Sequence, residues 1–400
     1  MLPPVVATVQ QVDEQMSRLV AAAKHYDPAL SQDGTACRMR MISQAQELIR
    51  SLTNPADMGA VHLAQANELV AVRTLLHVKA FRHIPPDGSI SLSALSGAMD
   101  VQEALLERLL RMVVCTGFLR QLQNADYAHT KFSLAYASIP GPGMHFQLIY
   151  DESFLMIDNY HLFLEQKGYK ETDDQRYSPY TWKSGQEGKM VWEVMAQTPE
   201  RLHAFQGGLA HLSHTTRLTG FYDFGKLNTE SDRPILVDVG GGAGHSILRI
   251  LQAHPQLQPN KFILQELKEP LEQARTVLPE QVCLMEHDFF TQQPVKAARA
   301  YLLRFVMHDY SDTVCVEILK QIVPAMAPDS LILISDFCLP ELVSSTDLPA
   351  VTMDITMLNM GGKERSERGL TKILSAAGLE LVKAYHADVG FGAIIEARLA

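Results

Sequence analysis

Residues able to do proton chemistry gather around one histidine. The run Arg304-Phe305-Val306-Met307-His308-Asp309-Tyr310-Ser311-Asp312 completes an apolar stretch, 300–306, that reads as a strand. A side chain at that end of a strand stands where open α/β sheets bind ligands. Imidazole has an ordinary pKa near 6.5, which suits a general base at neutral pH. Two acids can reach the same edge. Asp336 closes the next strand, 330–335, and Glu364 lies in Gly361-Gly362-Lys363-Glu364-Arg365. Converging carboxylates would hold the ring in one tautomer and stabilise its protonated form, as the acid of a catalytic triad does. Alone, His308 is as readily an ordinary buried histidine; with Asp336 and Glu364 beside it, the three become the catalytic candidates.

A second group could hold a cofactor. Residues 235–245, Ile-Leu-Val-Asp-Val-Gly-Gly-Gly-Ala-Gly-His, are a strand, a tight glycine turn and the start of a helix. Glycine takes φ > 0 and lets a ligand lie against bare backbone, and the helix start offers unpaired N–H groups. A dinucleotide pattern G-x-G-x-x-G would need glycine at 245, where His245 stands. The glycines alternate instead, at Gly240, Gly242 and Gly244, after Asp238. D-x-G-x-G-x-G is the arrangement of S-adenosylmethionine (SAM) binding turns; a glycine turn without a ligand is the bland alternative. Strand two ends in Glu266, roughly 20 residues past the turn, where a carboxylate can accept both ribose hydroxyls. Asp288 and Phe289 follow strand three. They suit an adenine amino group and ring face, or else a solvated acid and a core phenylalanine.

These residues need a scaffold. The chain has 400 residues, more than one core usually serves, so two domains are expected, 1–195 and 196–400. From 231 onward strands and helices alternate. Strands are predicted at 235–239, 261–265, 282–285, 300–306, 330–335 and 391–397, with a weaker one near 380–386. That predicts a doubly wound α/β fold with a seven-stranded Rossmann-like sheet. Asp388-Val389-Gly390 is short enough to make the last pair a hairpin.

The first half reads as helical. Residues 9–26 and 38–52 have helical spacing. Within 68–136 come a helix from Leu69 to Phe81, a turn at Asp87-Gly88 and a Ser91-capped helix. A helix capped by Asp100 follows, with Leu105, Leu109, Met112 and Val113 on one face, then strands at 118–122 and 127–134. That order is a winged helix, which raises DNA binding. The candidate recognition helix carries Glu103, Glu107, Arg108 and Arg111, a mixed set where a DNA reader wants a basic face. A structural or dimerising use is favoured. Residues 140–200, broken by Pro140 and Pro142, hold both tryptophans, Trp182 and Trp192, and many other aromatics. They could line an apolar pocket or form interdomain core, and His145 and His161 could face such a pocket.

Composition narrows the class. Hydrophobic content of 46% and charged content of 20% describe an ordinary globular protein. The net charge of −10 argues against a nucleic-acid partner. No apolar run reaches the roughly 18–20 residues of a membrane span, and Met1-Leu2-Pro3-Pro4-Val5 does not open a secretory signal. The cysteines at 37, 115, 283, 315 and 338 form no C-x-x-C pair, which suggests reduced cytoplasmic thiols. No metal is expected, because the His, Asp and Glu spacings match no known site.

Taken together, the glycine turn, His308-Asp309-Tyr310-Ser311-Asp312, Leu339-Pro340 and Gly361-Gly362-Lys363-Glu364-Arg365 resemble the class I SAM-dependent O-methyltransferases of small-molecule metabolism. The resemblance is to the plant caffeate and flavonoid enzymes and especially the fungal polyketide type. It implies a winged-helix dimerisation domain before the SAM domain, and a homodimer. It implies that His308 deprotonates the acceptor hydroxyl, flanked by Glu364 and by Asp336, which is shorter than the Glu of plant members. Glu266, Asp288 and Phe289 match ribose and adenine contacts, and Arg304 a basic residue near the adenine. The acceptor pocket would draw on Met353, Met357, Asn359 and Met360, suited to a flat apolar metabolite or else simply helix core. Some fungal relatives of this fold bind SAM yet catalyse dehydration or pericyclic reactions of polyketide–pyridones. His308 favours methyl transfer, and His145 keeps the rival open.

Overall fold

The computed structural model describes residues 6–28, 32–138, 141–201, 208, 216–387 and 392–400. The chain divides into two compact units, one of Met1–Asp158 with Met195–His214 and one of Asn159–Val194 with Thr215–Ala400. Residues 159–194, grouped with the N-terminal half in the sequence reading, are therefore part of the C-terminal unit. The reason is a set of hydrogen bonds to it, such as Tyr180 N–H to the Asn359 carbonyl at 3.0 Å.

The N-terminal unit begins with the helices Val9–Ala23 and Gln32–Leu52. Thr8 and Gln11 form a capping box at the start of the first, which buries none of its own residues. Val9, Met16, Val20, Ile42 and Ile49 remain exposed. A core of Ala71, Val72, Leu75, Leu95, Leu106, Leu110 and Val113 then joins the helices Met58–His77, Leu92–Met99 and Glu103–Cys115 to a hairpin of β1 (Leu119–Gln121) and β2 (Tyr127–His129).

Several expectations need correcting here. The first core helix starts earlier than Leu69 and breaks at Lys79, whose φ is +59°. Asp100 does not begin the third helix; it ends the second in the left-handed region, φ +53°, and Gln102 precedes Glu103. The buried stripe is Leu106, Leu110 and Val113, and Leu105 is exposed. Strand 127–134 stops at His129 because Thr130 and Ser133 make a capping box that starts the helix Lys131–Ala137. Pro142 opens the helix Pro142–Leu148, a position where its missing N–H costs nothing.

The C-terminal unit holds a seven-stranded sheet. Its strands are β3 (Leu236–Val239), β4 (Phe262–Glu266), β5 (Cys283–Glu286), β6 (Ala300–Arg304), β7 (Leu331–Ser335), β10 (Leu379–His386) and β11 (Ala393–Leu399). The order is β10-β11-β7-β6-β3-β4-β5. The five from β3 to β7 are parallel, and β11 runs antiparallel between β7 and β10. The connection at Asp388-Val389-Gly390 lies outside the described residues. Alternation along the strands feeds two cores. Val237, Val239, Tyr301, Leu303, Ile332 and Ile334 face the helices Asp312–Ile322 and Glu367–Ala376. Leu236, Leu264, Ala300, Leu302 and Leu333 face Ile247, Ile250, Leu271 and Ala274 on the other side. With both faces covered, the sheet offers its C-terminal edge. β3 lies between β4 and β6 there, which makes the β3–β6 boundary the switch point where such sheets bind ligands.

Two short strands complete the edge. β8 (Cys338–Leu339) pairs in parallel with β9 (Arg365–Ser366), Cys338 opposite Arg365. Asp336 lies two residues before one strand and Glu364 one residue before the other, so this ladder draws both acids to the end of β6.

Candidate active site

Beyond β6 the chain turns sharply. Phe305 has φ +54°, a conformation that costs a bulky residue and recurs at functional sites. Its N–H donates to Asp336 Oδ1 at 2.9 Å. A 3-10 turn, Met307–Asp309, then carries His308, which stacks on Phe305 with centroids 5.4 Å apart.

His308 Nδ1 lies 2.8 Å from Glu364 Oε1, and the His308 and Glu364 side chains are 9% and 0% exposed. A carboxylate only accepts, so Nδ1 carries the proton and donates it. Nε2 is then the nitrogen left for other chemistry, 3.6 Å from Asp309 Oδ1. Burial by itself would lower the imidazole pKa; Glu364 first, then Asp309 and Asp336, outweigh it and lift it to about 10. The same burial raises Asp336 to about 7 and Asp309 to about 6, against the pull of His308. Asp336 thus acts on His308 through space, while its hydrogen bond goes to Phe305.

The sequence reading missed three parts of this cluster. Asp309 stands beside Nε2. Asp354, on the helix Leu348–Leu358, accepts from the Glu364 N–H at 2.9 Å. Arg365 donates to the Met307 and Tyr310 carbonyls at 2.8 and 2.7 Å and to Asp312 at 2.8 Å. Asp309 and Arg365, next in sequence to His308 and Glu364, left a signal, and Asp354 left none.

The glycine turn lies at the neighbouring strand end. Gly240, Gly242 and Gly244 have φ of +68°, +57° and +81°. A Cβ at Gly240 would meet Val306 and Phe289 at 3.2 and 3.3 Å, and one at Gly244 would meet Leu278 at 2.5 Å. Beneath the turn, Asp238 is fully buried, and neither carboxylate oxygen has a hydrogen-bond partner among the described residues. Burial raises its pKa to about 7, opposed by the charge of Arg304 and assisted by that of Glu266. Glu266, raised by burial, accepts from the Leu267 N–H at 2.6 Å. Asp288 is exposed and accepts from the Phe290 N–H at 3.0 Å, and Phe289 packs between Gly240 and Tyr310. Gln265 and Gln293 form a buried reciprocal amide pair at the end of β4, with contacts of 2.7 and 2.8 Å. Arg304 reaches Ser246 Oγ at 3.4 Å and the Thr216 carbonyl at 3.3 Å, at the helix that follows the glycine turn.

The pocket candidates scatter. Met353, Met357 and Asn359 lie on or just after the helix that supports Glu364 through Asp354, and Met357 and Asn359 are buried. Trp192 is half-buried on Val191–Met195, and His161 is exposed on Tyr160–Gln166. His145 belongs to the other unit, on Pro142–Leu148. Among the described residues no group of three or more His, Cys, Asp or Glu side chains could hold a metal ion, and no helix is long and apolar enough to cross a membrane.

Comparison with known proteins places this geometry in context. A family model described as an O-methyltransferase domain matches residues 168–380. The O-methyltransferase hmp5 of Hypomyces subiculosus is 31% identical over 403 residues, covering 97% of this chain and 98% of its own. The crystal structure of OxaC in complex with SAH (S-adenosylhomocysteine) and oxaline superposes with a TM-score of 0.87 at 25% identity, covering 97% of this chain and 99% of that one. A structure described as a pericyclic reaction enzyme shares the fold, with a TM-score of 0.84 at 24% identity over 98% of this chain and all of that one.

Proposed function

The chain belongs to the O-methyltransferase domain family, and from that premise we propose that it methylates a hydroxyl of a small, apolar or aromatic, polyketide-like metabolite with His308 as general base. The enzyme is a SAM-dependent O-methyltransferase. The carrying observation is the 2.8 Å contact between His308 Nδ1 and Glu364, which leaves Nε2, once deprotonated, to take the acceptor's proton.

The residues at the glycine turn suit this cofactor. A buried carboxylate with no hydrogen-bond partner among the described residues, Asp238, calls for a positively charged or hydrogen-bond-donating ligand, and Gly242, with no atom within 4 Å of its Cβ position, leaves backbone bare in the turn. Asp238, Gly240, Gly242 and Gly244 would hold the amino-acid end, Glu266 the ribose, and Asp288 with Phe289 the adenine. Arg304 would stand at the start of the helix after the turn. When bound, SAM supplies a methyl group on a sulfonium.

The chain's own residues do the rest. Glu364 holds the Nδ1 proton and stabilises the imidazolium that forms when Nε2 accepts a proton. Asp354 fixes Glu364, and Asp336 fixes the Phe305 turn. Met353, Met357 and Asn359 would line the acceptor pocket, with Trp192, His161 and His145 as weaker candidates. Holding two reactants in line supplies much of the rate in such a reaction.

Replacing His308 by Ala should abolish methyl transfer to a panel of phenols and pyridones while SAH affinity, read by calorimetry, stays within about twofold. Full activity in that variant defeats the assignment. Release of SAH during turnover separates methyl transfer from the pericyclic or dehydration reading, which consumes substrate without forming it. The proposal extends to a cytoplasmic homodimer joined through a winged-helix N-terminal domain that does not engage DNA. It is supported by exposed Val9, Met16 and Val20 on a helix that buries nothing. A monomer in light scattering at micromolar concentration would defeat the dimer.

A further inference from the structure

The turn that carries His308 is held by every one of its carbonyls. The Met307 and Tyr310 oxygens accept from Arg365, and the His308 oxygen accepts from the Lys363 N–H at 2.8 Å. The Asp309 oxygen accepts from Gln175 Nε2 at 2.5 Å. Three of these bonds come from the block beside Glu364. The fourth comes from the short turn Gln175–Tyr177, in the aromatic segment that holds none of the catalytic candidates.

Gln175 is 6% exposed. A carbonyl only accepts, so the NH2 end of its amide must face Asp309. The segment around it is stitched to the same loops. Ser311 Oγ donates to the Asp173 carbonyl at 3.4 Å, and Lys363 pairs with Glu171 at 3.0 Å. The Thr172 methyl lies 3.1 Å from where a Cβ on Gly361 would stand.

We propose that Gln175 is a positioning residue: by holding the Asp309 carbonyl it sets how close the Asp309 carboxylate stands to His308 Nε2. The kinetic consequence rests on the general-base reading above; the geometric one does not. The charged groups facing His308 are Glu364 at Nδ1, Asp309 near Nε2 and Asp336 through space. Around the turn, Arg365 and Lys363 pair with Asp312, Asp354 holds Glu364, and Arg304 acts on Asp336. Gln175 is neutral, so it adjusts geometry without adding charge.

The test is a 13C titration of the histidine ring carbons in the full-length protein from pH 5 to 11, without acceptor. His308 is assigned by the resonance missing from His308→Ala. Gln175→Met cannot donate, so Asp309 drifts and the His308 midpoint falls by about half to one pH unit. Gln175→Asn is too short to reach and gives the same fall, which covers the case of a Met variant that does not fold. Gln175→Glu does not fall: protonated, it restores the donor, and ionised, it adds a charge that raises the midpoint. With catechol as the acceptor probe, the acid limb of the rate should follow the same displacements while SAH affinity is unchanged. A midpoint unchanged in Gln175→Met or Gln175→Asn overturns the proposal, and so does a Glu variant that falls with them. If the wild-type enzyme leaves every probe unmethylated, the titration still decides Gln175, and the general-base reading alone is lost.

Discussion

Replacing Glu364 by Gln tests the core of the catalytic reading, because it removes a charge while keeping size and one acceptor oxygen. In the wild-type protein the imidazole is lifted to about 10, with burial opposing and Glu364 the largest raising influence. An opposite charge at this range moves a pKa by about one to three units. Losing it should bring the His308 limb down by that much, with Asp309 and Asp336 still raising it. A general base works unprotonated, so the wild-type rate should climb with pH through the limb, and the variant should level off earlier. Bound SAM carries positive charge and lowers both limbs; the difference between them is what is read.

The plateau should also fall. A hydrogen bond to a charged group is worth about 1.5–3 kcal/mol, so weaker stabilisation of the imidazolium costs roughly 10- to 150-fold. The variant's deficit should be largest above the wild-type limb and shrink about tenfold per pH unit between the two limbs. The assay is SAH formation under saturating SAM from pH 6 to 10. A deficit that stays constant across that range refutes the argument, because it would mean that Glu364 does not control the protonation of His308. Stability gives an independent reading. A histidine whose folded pKa is raised stabilises the fold fully below its ordinary value near 6.5, and that contribution is lost as pH rises towards about 10. The gap in thermal midpoint between wild type and variant should therefore be widest near pH 6 and close by pH 10.

Asp238→Asn should behave in the opposite sense. A buried acid lifted to about 7 costs the ligand-free fold stability above that pH, and the cost vanishes as pH falls towards 4. The variant should melt higher than wild type at pH 8 and equally at pH 4.5, by a margin capped near 4 kcal/mol and reduced by the desolvation of the new amide. Its SAM affinity should drop about 10- to 150-fold by calorimetry; unchanged affinity removes Asp238 from the cofactor site. Gly362→Ala would place a Cβ 2.1 Å from the His308 carbonyl, so it should displace the catalytic turn and cut activity more than 100-fold. Gly242→Ala, with no atom within 4 Å and only its φ of +57° to oppose it, should cost about 1–2 kcal/mol in chemical denaturation. Undiminished activity in Gly362→Ala would contradict the crowding argument.

The site was legible where sequence pattern and strand ends coincide. The alternation of β3 and β6 points to their C-terminal ends, and Asp238, Gly240 and His308 stand there because a strand has to stop somewhere near a turn. Gln175, Asp354 and Arg365 were not legible as parts of the catalytic turn, since what they hold is backbone. A carbonyl or N–H carries no residue type, and only tertiary placement decides which side chain reaches it. The helix Glu103–Cys115 shows the same limit in its packing. Leu105 and Leu109 follow helical spacing as well as Leu106 and Leu110 do, and the neighbours chose the second pair. The two-residue ladder of β8 and β9 is too short for periodicity to reveal, although it brings Asp336 and Glu364 to one place.

On the proposed reading, cofactor and proton chemistry rest on different parts of one sheet edge. The ends of β3, β4 and β5 carry Asp238, the glycines, Glu266 and Phe289. The ends of β6 and β7, with the β8–β9 ladder, carry His308, Asp336 and Glu364. Their shared border is the packing of Val306 and Phe289 against Gly240. A fold divided in this way can keep its cofactor half while the other half changes its reaction. The likeness to a pericyclic enzyme thus leaves the methyl-transfer proposal intact, because overall shape follows the sheet, whereas on that proposal the reaction follows one imidazole and the carboxylate on its Nδ1.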